Sequence, residues 1–338
     1  MTVNQMSFTA RAVCCLLFGS LLGRISSMGS CLQYLNVIWE NQELLAFLHP
    51  SPWTPGVTVV THKTPGHTSS LFHLPEDSFL SLLLGARTVA RLLCERLDVQ
   101  RCALVHTPHR RASGLGVELH VVPLHGVTAD WKPHVAEEED FQPCDPGYIT
   151  SKSGPRWADS RLEDVKNRIR ARLPVPNATL NYTFLGKASD CGLFPRIVRG
   201  EEKQWRVWED DGHIAFLTPF PNTPGLTVLI PRKPLSSDVF RLEEADYKRM
   251  VLATRDVSRL LEAGLDAWGV GLIFEGFEID YAHAKLIPLV SLTDKVELNL
   301  TCPAPEFYHR YPGYITSVNG PPGNEESLQE ICAKITRR

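Results

Sequence analysis

The stretch FEIDYAHAKLIPLV, residues 277–290, carries three side chains capable of chemistry at two-residue spacing. They are Tyr281, His283 and Lys285. Successive side chains of a β-strand point to opposite faces, so the phenol, the imidazole and the ammonium group should share one face. An imidazole is substantially neutral and nucleophilic near pH 7, and a lysine beside it can attract an anion. The spacing therefore predicts a reactive strand face, opposite an apolar face that suits packing on a helix and consists of Ala282, Ala284 and Leu286.

The elements that must position this strand occur twice in the chain. VIWENQELLAFLHPSPWTPGVTVVTHKTP from Val37 matches RVWEDDGHIAFLTPFPNTPGLTVLIPRKP from Arg206 at a constant offset of 169. ARTVARLLCERLD then matches TRDVSRLLEAGLD, and PGYITSKSGP from Pro146 matches PGYITSVNGP from Pro312. A unit of about 130–140 residues is too long for a solenoid repeat and has the size of a domain. The repetition predicts two similar domains.

Each unit has the pattern of strands followed by one long helix and two more strands. In the second unit, QWRVWED and HIAFLTP alternate as strands around turn residues, and GLTVLIPRK is rich in β-branched residues. The following segment has apolar residues at helical spacing, and Gly264 predicts its end. A strand meander crossed by one helix predicts an α+β fold with an antiparallel sheet.

The predicted boundaries follow from these patterns. Residues 1–33 are an N-terminal extension or targeting segment, 34–170 and 200–338 are the two domains, and 171–199 is a linker. The apolar run near the N-terminus, about 12 residues long, is too short to span a bilayer as a helix. It leaves open a signal sequence, a transit peptide or a simple extension. We expect a cytoplasmic protein, or a mitochondrial or secretory one if residues 1–27 are a targeting segment.

Composition excludes several classes of function. The net charge of −3 argues against a polybasic surface for DNA. The nine cysteines are scattered without a C-x-x-C pair, which argues against a zinc site or a disulfide scaffold and favours free thiols in a reducing compartment. No metal-ligand spacing and no glycine-rich phosphate loop is present, so we expect neither a metal nor a cofactor. Homo-oligomer formation stays open.

The reactive stretch resembles the signature of the histidine triad (HIT) superfamily, in which histidines alternate with apolar residues on a strand. Aligning the closing LIP places Tyr281 on the first histidine, His283 on the middle one and Lys285 on the third. The third position is already lysine in a bacterial-type branch with the motif HAHAKL, whose PGYIT ending is also similar. Glu275 and Gly276 resemble the turn before the motif strand. The resemblance covers both halves of the chain.

This resemblance implies a fold and a mechanism. HIT domains pair edge to edge into one continuous sheet, which implies an intramolecular pseudo-dimer of two HIT-like domains here. The middle histidine, His283, would attack the α-phosphate of a mononucleoside or dinucleoside polyphosphate and form a nucleotidyl–imidazole intermediate. Backbone groups around Tyr281 would orient the ring. Lys285, Tyr281, Glu275 and Gly276 would bind the substrate. The implied activity is nucleotide hydrolysis or nucleotidyl transfer.

Several positions depart from the family pattern. Tyr281 replaces the first histidine, Leu226 stands where a histidine often follows Pro-Gly, and Phe277 replaces a polar residue that often touches phosphate. These losses support an alternative hypothesis, a pseudoenzyme that binds nucleotide or a protein partner without turnover.

The first half departs further. Its motif, GLGVELHVVPLHG, puts Gly116, Glu118 and His120 on the triad positions. A carboxylate repels phosphate, so we expect no nucleotidyl transfer there. The repeated PGYITS suggests that the segments around Tyr148 and Tyr314 cross over and line the pocket of the other half.

Overall fold

The structure covers most of the chain. It is a computed structural model that describes residues 36–64, 68, 70–108, 116–291 and 303–337. The predicted extension or targeting segment, residues 1–33, lies outside these ranges. Within them, no helix has both the length and the apolar character needed to cross a bilayer.

The described residues form one ten-stranded sheet in which all paired neighbours are antiparallel. The first half supplies β1 (Val37–Glu40), β2 (Leu44–Leu48), β3 (Thr58–His62), β4 (Cys102–His106) and β5 (Glu118–Pro123). The second half supplies β6 (Trp205–Glu209), β7 (His213–Leu217), β8 (Thr227–Pro231), β9 (Ala267–Phe274) and β10 (Ala284–Val290). Their order is β1-β2-β3-β5-β4-β9-β10-β8-β7-β6. The predicted α+β class with an antiparallel sheet is confirmed.

The two halves meet where β4 pairs with β9. Val105 pairs with Ile273, which lies 168 positions later and occupies the same place in the aligned segments. The flanking pairs are Leu104 with Phe274 and His106 with Leu272. Equivalent residues facing each other at the centre of a strand pair are what a two-fold relation between the halves produces.

The helices lie against the sheet. The two long ones are α1 (Glu76–Leu97) and α4 (Glu244–Leu265), and the shorter ones are α2 (Asp159–Arg170), α3 (Leu193–Arg199) and α5 (Glu325–Thr336). Two 3-10 turns, Leu71–His73 and Val239–Arg241, precede the long helices. One apolar core runs between the sheet and α1 and α4 across both halves, and a second core covers the opposite face.

The long helices begin and end in the same way. Acidic residues occupy the first turn of each, where they favour the positive end of the helix dipole. Both end at an aspartate in the left-handed conformation, Asp98 with φ 56° and Asp266 with φ 54°. The prediction that Gly264 ends the second helix is wrong, because that residue lies inside α4. A Cβ there would lie 2.8 Å from Cα of Ile169, so the glycine allows α2 to pack closely.

The C-terminal tail of each half packs on the other half. Helix α2 contacts α4 and β6, whereas α5 contacts α1 and β1. The segments before these helices make matching backbone hydrogen bonds: Gly154 N–H donates to Phe220 O at 3.1 Å, and Gly320 N–H donates to Ser51 O at 3.0 Å. An isolated antiparallel bridge joins the two tails at Thr150 and Thr316. The tails are therefore exchanged between the halves.

Candidate functional site

The motif stretch begins as a turn and becomes a strand only at Ala284. The predicted strand starts too early, because β10 pairs with β8 from Ala284 onward. Before it, Tyr281 N–H donates to Ile279 O at 2.8 Å, which closes a tight turn. The alternation of sides nevertheless persists. Ala282, Ala284 and Leu286 belong to the core under the long helices, as expected of the apolar face.

His283 is held by its own backbone neighbourhood. Its Nδ1 lies 2.7 Å from the carbonyl oxygen of Tyr281. A carbonyl oxygen only accepts, so Nδ1 carries the proton and Nε2 keeps its lone pair. The side chain is 4% exposed, and burial lowers the pKa of His283 below its usual 6.5. The ring is therefore neutral at pH 7, the form in which imidazole acts as a nucleophile.

Lys285 lies beside the imidazole and is already partnered. Its Nζ lies 3.0 Å from a carboxylate oxygen of Glu278 and donates to the carbonyl oxygen of Ser151 at 2.9 Å. Burial favours the neutral amine, but Glu278 and Glu275 outweigh it and raise the pKa of Lys285. The lysine is thus a buried cation that two carboxylates, those of Glu278 and Glu275, stabilise.

Glu275 and Gly276 contact the first half of the chain. The Glu275 carboxylate accepts hydrogen bonds from Ser151 Oγ at 3.0 Å and from the Tyr311 hydroxyl. Burial raises the pKa of Glu275, although Lys285 opposes this. Gly276 adopts φ 85°, and its carbonyl oxygen accepts from Trp131 Nε1 at 2.9 Å. These two residues fix the turn before the motif against the first half.

Tyr281 is used in packing. Its hydroxyl donates to Pro231 O at 2.8 Å, and burial raises the pKa of the phenol. Its ring meets Phe194 edge to face at 5.7 Å, as does the His283 ring at 5.6 Å. Phe194 thus lies against both motif rings.

A cavity of about 330 Å³ opens beside His283 and Lys285. Of the predicted site residues, the structure brings these two together in its wall. Tyr281, Glu275 and Gly276 do not line it. Leu226, at the position of a missing family histidine, does line it. Its other walls come from β7 and β8, from α3, and from the first-half tail; they include Phe216, Val228, Phe194, Ile197, Ser151 and Lys152.

Sequence reasoning missed part of this wall. Helix α3 lies inside the predicted linker, and no periodic pattern marks it. Phe194 reaches His283 only through tertiary packing. The repeated PGYITS did point to the tail, but the contacting residues are Ser151 and Lys152. Tyr148 lies outside this cavity, and its hydroxyl donates to Asp140 Oδ2 at 3.0 Å.

The equivalent position in the first half holds different chemistry. His120 pairs with Val59 across β5 and β3, as Lys285 pairs with Val228 across β10 and β8. Nε2 of His120 lies 3.8 Å from Oε2 of Glu118. The His49 ring lies 5.0 Å from the His120 ring, and burial, followed by the effect of His120, lowers the pKa of His49 to about 4.

Comparisons with known proteins agree with the family resemblance in part. No family model matches the chain. An uncharacterized HIT-like protein of Saccharolobus solfataricus is 27% identical over 101 residues, which cover 28% of this chain and 72% of the relative. The structure of a HIT-like protein from Bartonella henselae, 21% identical, covers 43% of this chain and 95% of its own with a TM-score of 0.28. A uridylyltransferase mutant covers 88% of this chain and 89% of its own at 13% identity with a TM-score of 0.47. In sequence, the chain is thus similar to HIT-like proteins over 28% of its length.

Proposed function

We propose that this chain is a tandem HIT-like protein in which the second half hydrolyses or transfers nucleotides through His283. The observation that carries the proposal is the hydrogen bond between His283 Nδ1 and Tyr281 O, next to a cavity that also contains Lys285. It fixes the tautomer in which Nε2 is the nucleophile. Mononucleoside or dinucleoside polyphosphates are the substrate class.

The tandem arrangement assigns the halves different roles. In this arrangement, residues 34–170 and 200–338 are two HIT-like domains that pair as a pseudo-dimer, and residues 171–199 are the linker between them. The equivalent pair Val105 and Ile273 at the centre of the sheet supports this arrangement, and so do the exchanged tails. The first half, with Glu118 in place of the nucleophile, acts as a fixed partner that supplies Ser151 and Lys152 to the cavity.

The reaction follows from the positions of the groups. His283 Nε2 attacks the α-phosphorus, a phosphorus–nitrogen bond forms, and the bond to the leaving-group oxygen breaks. Water or another acceptor oxygen then displaces the imidazole. The lowered pKa of His283 keeps the nucleophile unprotonated at neutral pH. Phosphoryl chemistry depends mainly on charge stabilisation, which Lys285 supplies once phosphate oxygens compete with Glu278.

The cavity suits a nucleoside phosphate. Its volume of about 330 Å³ lies at the lower end of small-molecule sites. Apolar side chains such as Phe216, Leu226 and Phe220 can contact a base. Lys152 and Lys203 also line the wall, and they pair with Glu138 and Asp159.

Trapping the intermediate tests the proposal. The protein is incubated with a panel of nucleoside polyphosphates labelled on the α-phosphate and quenched under alkaline conditions, since a phosphorus–nitrogen adduct is acid-labile. We expect label on wild type, none on His283→Ala, and wild-type label on the control His309→Ala, whose exposed side chain lies outside the cavity. Labelling of His283→Ala at the wild-type level would contradict the assignment.

A second candidate function is nucleotide or protein-partner binding without turnover. Three observations favour this function. Glu278 forms an ion pair with Lys285, and the Phe194 ring packs against the imidazole of His283. Leu226 stands where the family often has a histidine. Under this reading, nucleotide binds with measurable affinity in calorimetry, while no adduct and no product appear across the panel.

A further inference from the structure

A pair of thiols lies apart from the His283 cavity, in the first half. Cys94 near the end of α1 and Cys102 at the start of β4 have their sulfurs 3.7 Å apart. Cys102 is buried, and its Sγ lies 3.5 Å from the carbonyl oxygen of Ala90. Cys94 is half-buried. The described cysteines Cys144, Cys191 and Cys332 form no such pair.

The pair is not a requirement of the fold. In the aligned segments of the second half, the equivalent residues are Glu262 and Val270. The same helix–turn–strand unit therefore forms there without either thiol. The proximity of Cys94 and Cys102 is a property of the first half alone.

A cavity of about 320 Å³ opens directly beside the two sulfurs. Both cysteines contribute to its wall, together with two exposed arginines, Arg91 and Arg241, and three acidic residues, Glu95, Asp98 and the buried Asp238. Arg91 and Arg241 are held by hydrogen bonds to Phe240 O and Gln100 O, each at 3.0 Å. The opening is thus large enough for a small molecule, and its wall carries charges of both signs, with Arg241 paired to Asp238 at 3.2 Å.

We propose that Cys94 and Cys102 form a reversible disulfide by exchange with a low-molecular-weight disulfide that carries both ammonium and carboxylate groups and enters this cavity. The Cys94 thiolate attacks one sulfur of the external disulfide, a mixed disulfide forms, and one small thiolate leaves. Cys102 then attacks Cys94 Sγ, the protein disulfide forms, and the second small thiolate leaves. The two protons from the cysteines pass to the departing thiolates, so two cysteines are oxidised and one disulfide is reduced to two thiols.

The two cysteines differ in the way these roles require. Cys94 is the accessible one, and the hydrogen bond with Cys102 lowers the pKa of its thiol. Burial raises the pKa of Cys102, which keeps that thiol protonated and protected until the mixed disulfide lies beside it. The sulfurs need only close from 3.7 Å to about 2 Å to bond.

The test uses the reduced full-length protein and glutathione disulfide. After incubation at native pH, free thiols are alkylated and peptides are mapped by mass spectrometry without reduction. We expect a linked peptide joining Cys94 and Cys102 in wild type, which disappears on treatment with dithiothreitol. Cys102→Ser should instead retain one glutathione on Cys94, and Cys94→Ser should leave Cys102 unmodified.

The matched control is Cys191→Ser, which removes an exposed thiol distant in sequence and should leave the linked peptide unchanged. The wild-type measurement decides the proposal even if a variant fails to fold. Wild type that keeps glutathione on Cys94 without a linked peptide overturns it. So does wild type in which both thiols stay reduced while Cys191 is modified.

Discussion

In the proposed function, Glu278 and Lys285 together control how well the His283 cavity accepts an anion. The carboxylate lies 3.0 Å from the ammonium group, so a bound phosphate must displace it. We predict that Glu278→Gln strengthens nucleotide binding by about 1 kcal/mol, roughly fivefold in Kd, because it removes both the competitor and a repulsive charge. Isothermal titration calorimetry measures the change.

The control for this prediction is Glu202→Gln. Glu202 lines the same cavity, but its carboxylate forms an ion pair with Arg196 and not with Lys285. We expect a smaller effect from this change. Weaker binding by Glu278→Gln than by wild type would show that Glu278 positions Lys285 and does not compete for it.

His49, which lies beside His120 in the first half, should make the stability of the fold depend on pH. Its pKa in the folded protein, about 4, lies below the ordinary 6.5, so the unfolded chain takes up the proton first as pH falls. The free energy of unfolding therefore falls as the pH drops from 6.5 to 4. A pKa difference of one unit corresponds to about 1.4 kcal/mol, so this histidine alone accounts for a loss of about 3 kcal/mol. We predict that His49→Asn, whose amide oxygen can still accept from Ser51 N–H, loses less of its free energy of unfolding over this range.

Urea unfolding at pH 7, 5.5 and 4 measures this difference, with the exposed His309→Asn as the control. Parallel losses in wild type and His49→Asn would contradict it.

Individual residues also show what the sequence could and could not predict. The alternation around His283 indicated which side chains share its face, because a strand has a period of two. The partner of Lys285 was not predictable, since Glu278 reaches it only through the turn that precedes β10. Ring contacts such as Phe194 on His283 depend on residues 89 positions apart and carry no local signal.

Helix α3 is the element that covers the imidazole. Phe194 is 5% exposed and packs on His283, Tyr281 and Phe216. We predict that Phe194→Ala speeds carbethoxylation of His283 by diethyl pyrocarbonate, because the ring loses its cover, and costs about 3 kcal/mol of stability. Peptide mapping by mass spectrometry measures the modification. Phe184→Ala is the control, since Phe184 lies in the same predicted linker but its ring packs against Arg199. Equal rates of His283 modification in the two variants would contradict the prediction.

The exchanged tails depend on glycines that allow two backbones to touch. A Cβ on Gly154 would lie 2.1 Å from the carbonyl oxygen of Pro221, and a Cβ on Gly320 would lie 2.1 Å from that of Pro52. Backbone atoms cannot yield cheaply, so we predict that Gly154→Ala lowers the free energy of unfolding by about 2–4 kcal/mol. Gly212→Ala is the control, because its Cβ would meet only an aspartate oxygen at 3.7 Å. Urea titration compares the two, and a loss in Gly154→Ala no larger than in Gly212→Ala would contradict the prediction.

At the scale of the whole molecule, the sequence patterns predicted the α+β class with an antiparallel sheet. Matching segments imply matching strands and helices, and α1 and α4 do cover equivalent strands of one antiparallel sheet. The repeated PGYITS suggested that the tails cross over, but the packing of α2 and α5 on the other half was not predictable, because a helix with one apolar stripe can pack on either half. The close approaches at Gly154 and Gly320 bring each tail against the other half, and they depend on atoms far apart in sequence.

The exchange makes the two halves one folding unit. Helix α2, from the first half, packs on α4 and β6, and α5 packs on α1 and β1. Neither half can keep its helix core covered when the other unfolds, and the central β4–β9 pairing would be lost as well. We predict a single cooperative unfolding transition, with coincident midpoints by circular dichroism and tryptophan fluorescence. Gly154→Ala should shift both midpoints together. Two separated transitions, or a shift confined to one probe, would show that the halves are independently stable despite the exchange.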